Sequence, residues 1–156
     1  NPKISAEDSD ADLGLAGFLS ELASDDGWRS EPFVSPSFTA LDAGALEALA
    51  RTNRGKQRVP TLRNVDARPM PGFVKAYMHD GYFKSLEAVV HFYNTRDVLP
   101  RCAERLSEAE ARQAGCWPAP DVAENVNTSE LGDLGLSAEE EAEIVAFLQT
   151  LTDGAP

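Results

Sequence analysis

Residues 59–94 read VPTLRNVDARPMPGFVKAYMHDGYFKSLEAVVHFYN, and the way this stretch divides decides the fold class. Its first part, up to Gly81, holds Pro60, Pro69, Pro71, Gly72 and Gly81. Proline removes a backbone donor and fixes φ, so these residues form neither one long helix nor a regular strand. The same part carries Val65, Met70, Phe73, Val74, Tyr77 and Met78, too many apolar side chains for a solvated linker. The expectation is an ordered loop that packs over something. The second part changes character. Ser85 is a good N-cap. Leu86, Val89, Val90 and Tyr93 then fall at i, i+3, i+4 and i+7, one face of a helix that ends near Asn94.

Outward from this stretch the same alternation of helix and loop continues. Leu15, Phe18, Leu19 and Leu22 follow helical spacing, and Gly27 is placed to stop that helix. Trp28–Phe38 is rich in Pro and Ser and reads as an irregular loop. A short helix follows Asp42, from Leu41 to Arg51, with Leu46, Leu49 and Ala50 on one side and Gly55 as terminator. Residues 96–126 form a long irregular insertion with Pro100, Pro118 and Pro120, broken by one short helix that the Ser107–Glu110 capping box starts. Ser137 and Glu140 form a second capping box, and acidic residues fill the first turns as the helix dipole favours. Ile144, Phe147, Leu148 and Leu151 give this last helix its apolar face, and Asp153-Gly154 ends it. With no internal repeat and no strand alternation, the chain is all-α with long irregular loops.

The 156 residues suit one domain with a real core, and 42% hydrophobic content excludes disorder for the whole. No apolar run approaches the roughly 18 residues a membrane span needs, and no stretch reads as a signal peptide. The chain begins at Asn1 and not at Met, which reads as processing, truncation or a fragment. Asp8, Asp10 and Asp12 alternate like a calcium loop, but Leu13 and Leu19 stand where that motif needs Gly and Glu, so residues 1–12 read as a frayed start. A net charge of −12 argues against nucleic acid and anionic membranes, and suits a small basic partner or plain solubility.

Arg51, Arg54, Lys56, Arg58, Arg63 and Arg68 place six of the 14 basic residues within 18 positions, with only Asp66 against them. A solvated cationic loop and an anion site are both open readings. Cys102 and Cys116 bracket the short capping-box helix, and either a disulfide or two reduced thiols fits. Two Cys with His79 and His91 twelve apart give no tetrahedral zinc spacing. There is no Gly-rich phosphate loop, Gly-x-Ser-x-Gly or His-Glu-x-x-His, and no carboxylate pair stands out as an acid/base couple.

Three pieces together carry a family resemblance: VPTLRNV, then YMHDGYFKSLEAVVHFYN, then LGLSAEEEAEIVAFLQTLTDG. They resemble the C-terminal part of a c-type cytochrome domain of the dihaem cytochrome c peroxidase and MauG superfamily. The resemblance covers about residues 54–154. It implies a single cytochrome c-like domain over residues 1–156, periplasmic, carrying haem c and passing electrons within an oxidoreductase that reduces hydrogen peroxide. It also implies a redox partner such as a small cytochrome or a cupredoxin. The periplasmic location it implies favours the disulfide Cys102–Cys116. The attachment motif Cys-x-x-Cys-His does not occur in these residues, so the resemblance places it upstream of residue 1.

By the same resemblance Pro60, Leu62, Arg63, Asn64, Tyr77, His79 and Tyr93 border the haem, with Arg63 set to meet a propionate. The distal iron ligand is Tyr93, which stands where family members place Met or Tyr, or Met70 in its Met-Pro loop, or Met78. Each has a plain alternative. Tyr93 at helical spacing reads as a core aromatic, Met70 and Met78 as packing residues, His79 as a turn or core histidine, and Arg63 as a surface ion pair. His91 falls off the apolar face and reads as a surface residue. Two other functions remain open: a haem-free helical module for structure or interaction, and a monohaem electron carrier without enzymatic activity.

Overall fold

The computed structural model describes residues 13–30, 32 and 35–153. The stretch 1–12 expected to be a frayed start, with Asp8, Asp10 and Asp12, lies outside the described residues, as does Gly154. Among the described residues the fold is all-α, with two isolated β-bridges and no sheet. The chain divides into two compact units, residues 1–58 with 120–126, and residues 59–119 with 127–156.

In the first unit α1 (Leu15–Ser24) packs on α3 (Ala43–Thr52). Ala16, Leu19, Leu46 and Ala50 form the buried seam, and Leu22, Trp28, Phe38 and Leu41 pack around it. Asp42 starts α3 as expected, its carboxylate accepting from the Ala45 amide at 2.7 Å. The Trp28–Phe38 stretch is more regular than its composition suggests. Gly27–Ser30 is a 3-10 turn, and Pro36–Thr39 is a single-turn helix, α2, capped by Ser35. The Trp28 indole donates to the Leu22 carbonyl at 3.0 Å, and its ring lies 5.2 Å from Phe38, so an aromatic pair tethers this loop. Gly55 has φ 73°, and a Cβ there would meet the Val122 side chain at 2.8 Å, so the turn after α3 needs glycine for both conformation and room.

The second unit holds α4 (Leu86–Thr95), α5 (Glu108–Ala114) and α6 (Ala138–Gln149). Ser85, Ser107 and Ser137 cap them as the sequence predicts, the last two in reciprocal capping boxes. Helix α4 runs one residue beyond Asn94. Trp117, fully buried, sits at the centre of the core with Phe83, Leu86, Val90, Ala111 and Val145. Its indole donates to Thr95 Oγ1 at 3.0 Å, and its ring lies 5.3 Å from Phe92 and 5.8 Å from Phe83, both edge to face. Cys102 and Cys116 are joined by a disulfide. Beside it the Cys102 amide donates to the Trp117 carbonyl and the Trp117 amide to the Pro100 carbonyl, so the cross-link and a short bridge hold Trp117 in place.

Helices α4 and α6 are locked by polar contacts. Asn94 is buried, and its amide donates to the Leu136 carbonyl at 2.9 Å and to Glu141 Oε1 at 2.5 Å. Its Oδ1 accepts from the Leu136 amide at 3.0 Å. His91 is not simply a surface residue. Its Nδ1 lies 3.0 Å from Glu141 Oε1, and its ring lies 5.8 Å from Trp117. Arg96, also buried, bonds Asp97 and the carbonyls of Asn127 and Leu131, which folds the 127–132 segment back onto α4. The Arg96 hydrogen bonds hold the Asp97 carboxyl below its usual range. The apolar face of α6 divides differently from its sequence pattern. Val145 is buried and Leu148 partly so, whereas Ile144 and Phe147 are exposed.

Candidate functional site

The segment 59–68 is built onto the end of α6. Asn64 takes φ 58°, a left-handed conformation that asparagine tolerates better than most residues. Its backbone N–H donates to the Leu151 carbonyl at 2.7 Å, and its side-chain Oδ1 accepts from the Asp153 backbone N–H at 2.7 Å. Arg63 Nε lies 3.4 Å from Asp153 Oδ2. Between the two strips a shallow cleft of about 370 Å³ opens, lined by Thr61, Leu62, Arg63 and Thr150–Asp153.

Lys75 organises the same turn from its other side. Its ammonium donates to the carbonyls of Val65 at 2.7 Å, Ala67 at 2.9 Å and Asn64 at 3.2 Å. Tyr77 is buried and donates to Asp66 Oδ1 at 3.2 Å, while Arg68 pairs with Asp66 at 3.3 Å. Burial, then the Asp66 hydrogen bond and charge, push the Tyr77 hydroxyl up to about 12. The phenol is neutral in the folded chain where a free tyrosine, near pKa 10, would ionise. The stability this gives is complete below about pH 10 and is lost as pH rises from there through about 12. Alkaline absorbance titration is expected to show one tyrosine ionising late, and Asp66→Asn to bring it down.

Residues Tyr77–Phe83 form a closed turn, with Tyr77 N donating to the Phe83 carbonyl at 2.9 Å and Gly81 N to the Met78 carbonyl at 3.3 Å. Met78 sits in this turn at φ 67°. Its thioether accepts the Tyr93 hydroxyl, Oη to Sδ 3.5 Å, from the last turn of α4. Burial raises the Tyr93 hydroxyl above its ordinary value. Phe92, one ring from Tyr93 at 5.9 Å, joins this pair to the Trp117 core. The loop 59–74 leaves large apolar side chains open to solvent: Val59 is 88% and Met70 62% exposed, with Leu62, Phe73 and Val74 also exposed.

Two of the three candidate ligands, Tyr93 and Met78, thus meet, while Met70 stands apart in the exposed Met70–Phe73 turn. Pro60, Leu62 and Arg63 line or flank the cleft, Asn64 clamps the chain beyond α6, and Tyr77 belongs to the core. His79 is exposed at the tip of the 77–83 turn. Three members of the six-residue cationic cluster pair with separate acidic partners: Arg54 with Glu124 at 3.6 Å, Arg63 with Asp153 and Arg68 with Asp66. Lys75 and Asn94 carry the site's architecture, and the sequence reading missed both. A lone lysine within an apolar loop was the available signal for the first. Among the described residues no three His, Cys, Asp or Glu side chains gather as metal ligands, and no helix is long and apolar enough to cross a membrane.

The chain is similar to the methylamine utilization protein MauG of Paracoccus denitrificans (strain Pd 1222), with 36% identity over 102 residues, 64% of this chain and 23% of that protein. It therefore spans about a quarter of the length of the curated relative it matches. No family model matches the chain, and no solved structure matches it.

Proposed function

We propose that the chain is part of a c-type haem domain of the dihaem cytochrome c peroxidase and MauG superfamily. In this reading residues 1–156 belong to one cytochrome c-like domain, and the Cys-x-x-Cys-His that anchors haem c lies upstream of residue 1. The observation that carries the reading is the convergence of Tyr93 Oη and Met78 Sδ, a phenol and a thioether 3.5 Å apart, in a chain 36% identical to MauG over 102 residues.

The residues present suit a haem. The exposed apolar side chains of loop 59–74 provide a wall for a large flat ring, and their burial would be worth about 25 cal/mol per Å² covered. A phenol or thioether is an established axial donor. Arg63, paired with Asp153 but largely exposed, has the fork to hold a propionate. Haem supplies one-electron chemistry at its iron. The chain's own residues hold the ring, set the ligand field through Tyr93, Met78 or Met70, and exclude water with Leu62, Phe73 and Val74. Pro60, Asn64, Tyr77 and His79 shape the loop around them. The function is periplasmic electron transfer, feeding the reduction of hydrogen peroxide and drawing on a small cytochrome or cupredoxin.

Absorption spectra of the native full-length protein, oxidised and dithionite-reduced, with a pyridine haemochrome, test this directly. A Soret band with the sharp reduced α-band of haem c is expected. Its absence from intact protein overturns the reading and leaves a second one, a haem-free helical interaction module. That alternative is favoured by the exposed apolar side chains of loop 59–74, which it would assign to a protein partner. A haem band at one haem per chain, without peroxide turnover, identifies a monohaem electron carrier.

A further inference from the structure

We propose that Tyr93 and Met78 are a matched pair of donors for one iron position, with the Tyr93 oxygen serving the oxidised metal and the Met78 sulfur the reduced metal. The proposal rests on the haem reading above. Its first support is the contact itself. The phenol oxygen and the thioether sulfur lie 3.5 Å apart, so two donors of different softness are presented at one place in the fold. The contact does not come from adjacency on a helix. Tyr93 comes from α4, and Met78 from a turn 15 residues earlier.

The second support is the backbone at Met78. A residue other than glycine at φ 67° sits in the left-handed region, which L side chains rarely adopt. Such conformations persist where surrounding structure over-determines them, and they gather at functional sites. Here the two hydrogen bonds that close the Tyr77–Phe83 turn impose it, and the result aims the thioether at the Tyr93 oxygen. Glycine would fit this backbone more easily but would bring no sulfur. Met70, exposed on its own turn, shares none of this.

The pair divides the two oxidation states by hardness. An anionic phenol oxygen suits the harder oxidised iron, and a thioether suits the softer reduced iron and raises its potential. On one-electron reduction by a small redox protein or dithionite, a bound iron would exchange the Tyr93 oxygen for a sulfur lone pair of Met78, and the released Tyr93 oxygen would take one proton from water. Sulfur keeps a second lone pair, which accepts the released Tyr93 hydroxyl in the contact seen here. Oxidation reverses each step and returns the electron and the proton.

The test uses the native full-length protein with Met78→Leu and Tyr93→Phe. Met78→Leu is expected to leave the oxidised spectrum as it is, to convert the reduced low-spin α-band to a high-spin one, and to lower the reduction potential. Tyr93→Phe is expected to bring a thioether charge-transfer band into the oxidised spectrum and to raise the potential. A Met78→Leu protein that keeps its reduced low-spin band overturns the pairing. Should that variant fail to fold, Tyr93→Phe decides alone, and an oxidised spectrum without the thioether band overturns the proposal. Absence of any Soret band in the unmodified protein is a different result, because it removes the haem reading itself.

Discussion

Trp117→Ala is expected to cost about 3–5 kcal/mol, the range for deleting a large buried aromatic. The upper end applies because the side chain is fully buried, touches Phe83, Phe92 and His91, and donates to Thr95 Oγ1. Little can collapse into the space, since the disulfide and the Pro100–Cys102 bridge hold the flanking backbone. Domains of this size are stable by roughly 5–15 kcal/mol, so a loss of this scale exposes much of α4 to α6 to unfolding. Urea titration followed by far-UV circular dichroism measures it, and Trp28 remains as a second, separate fluorescent reporter. A midpoint close to that of the unsubstituted protein would contradict the central role given to Trp117. Trp117→Phe should keep most of the packing and lose chiefly the hydrogen bond, about 1 kcal/mol.

Asn94→Asp is the second large effect, although it changes almost no volume. The Asn94 amide is buried and donates to both the Leu136 carbonyl and Glu141. A carboxylate there faces two acceptors, one of them already anionic, with no donor to offer. About 3–5 kcal/mol is expected at neutral pH, the range for an uncompensated buried charge. Burial and the Glu141 charge both disfavour ionisation, so the new carboxyl binds its proton far above the usual carboxylate value. Protonation restores a donor, and the deficit therefore shrinks as the pH falls. Denaturation midpoints for the two proteins that converge on acidification, and separate at neutral pH, are the expected signature. A deficit independent of pH would assign the role of Asn94 to shape alone.

What was legible in the sequence follows from how far each interaction reaches. Asp42, Ser85, Ser107 and Ser137 act on amides three residues away, and all four helix starts stand where the sequence predicts them. The helix at Pro36–Thr39 carried its own signal, Ser followed by Pro, but Pro and Ser also mark loops and the composition pointed that way. The face of α6 was mistaken because periodicity finds an apolar stripe without saying what covers it: Val145 turns inward, and Ile144 and Phe147 face solvent. Trp117, Asn94 and Lys75 were passed over for a common reason. Their partners lie 22, 42 and 8–11 residues away, and no local pattern marks such meetings. At the site, the residue types were legible and their grouping was not. Three candidate ligands stood open in the sequence, and the fold joins two of them.

Lys75 gives the turn at Asn64–Ala67 a property that ion-built loops lack. Three carbonyl oxygens converging within 3.2 Å of one positive centre resemble the cage that proteins place around a dissolved metal cation. Here the centre is tethered by its own side chain. A chelator has nothing to extract from it, and dialysis cannot dilute it away. Its local concentration is set by a covalent link, so the turn beside the cleft keeps its shape whatever the ionic composition of the surrounding medium.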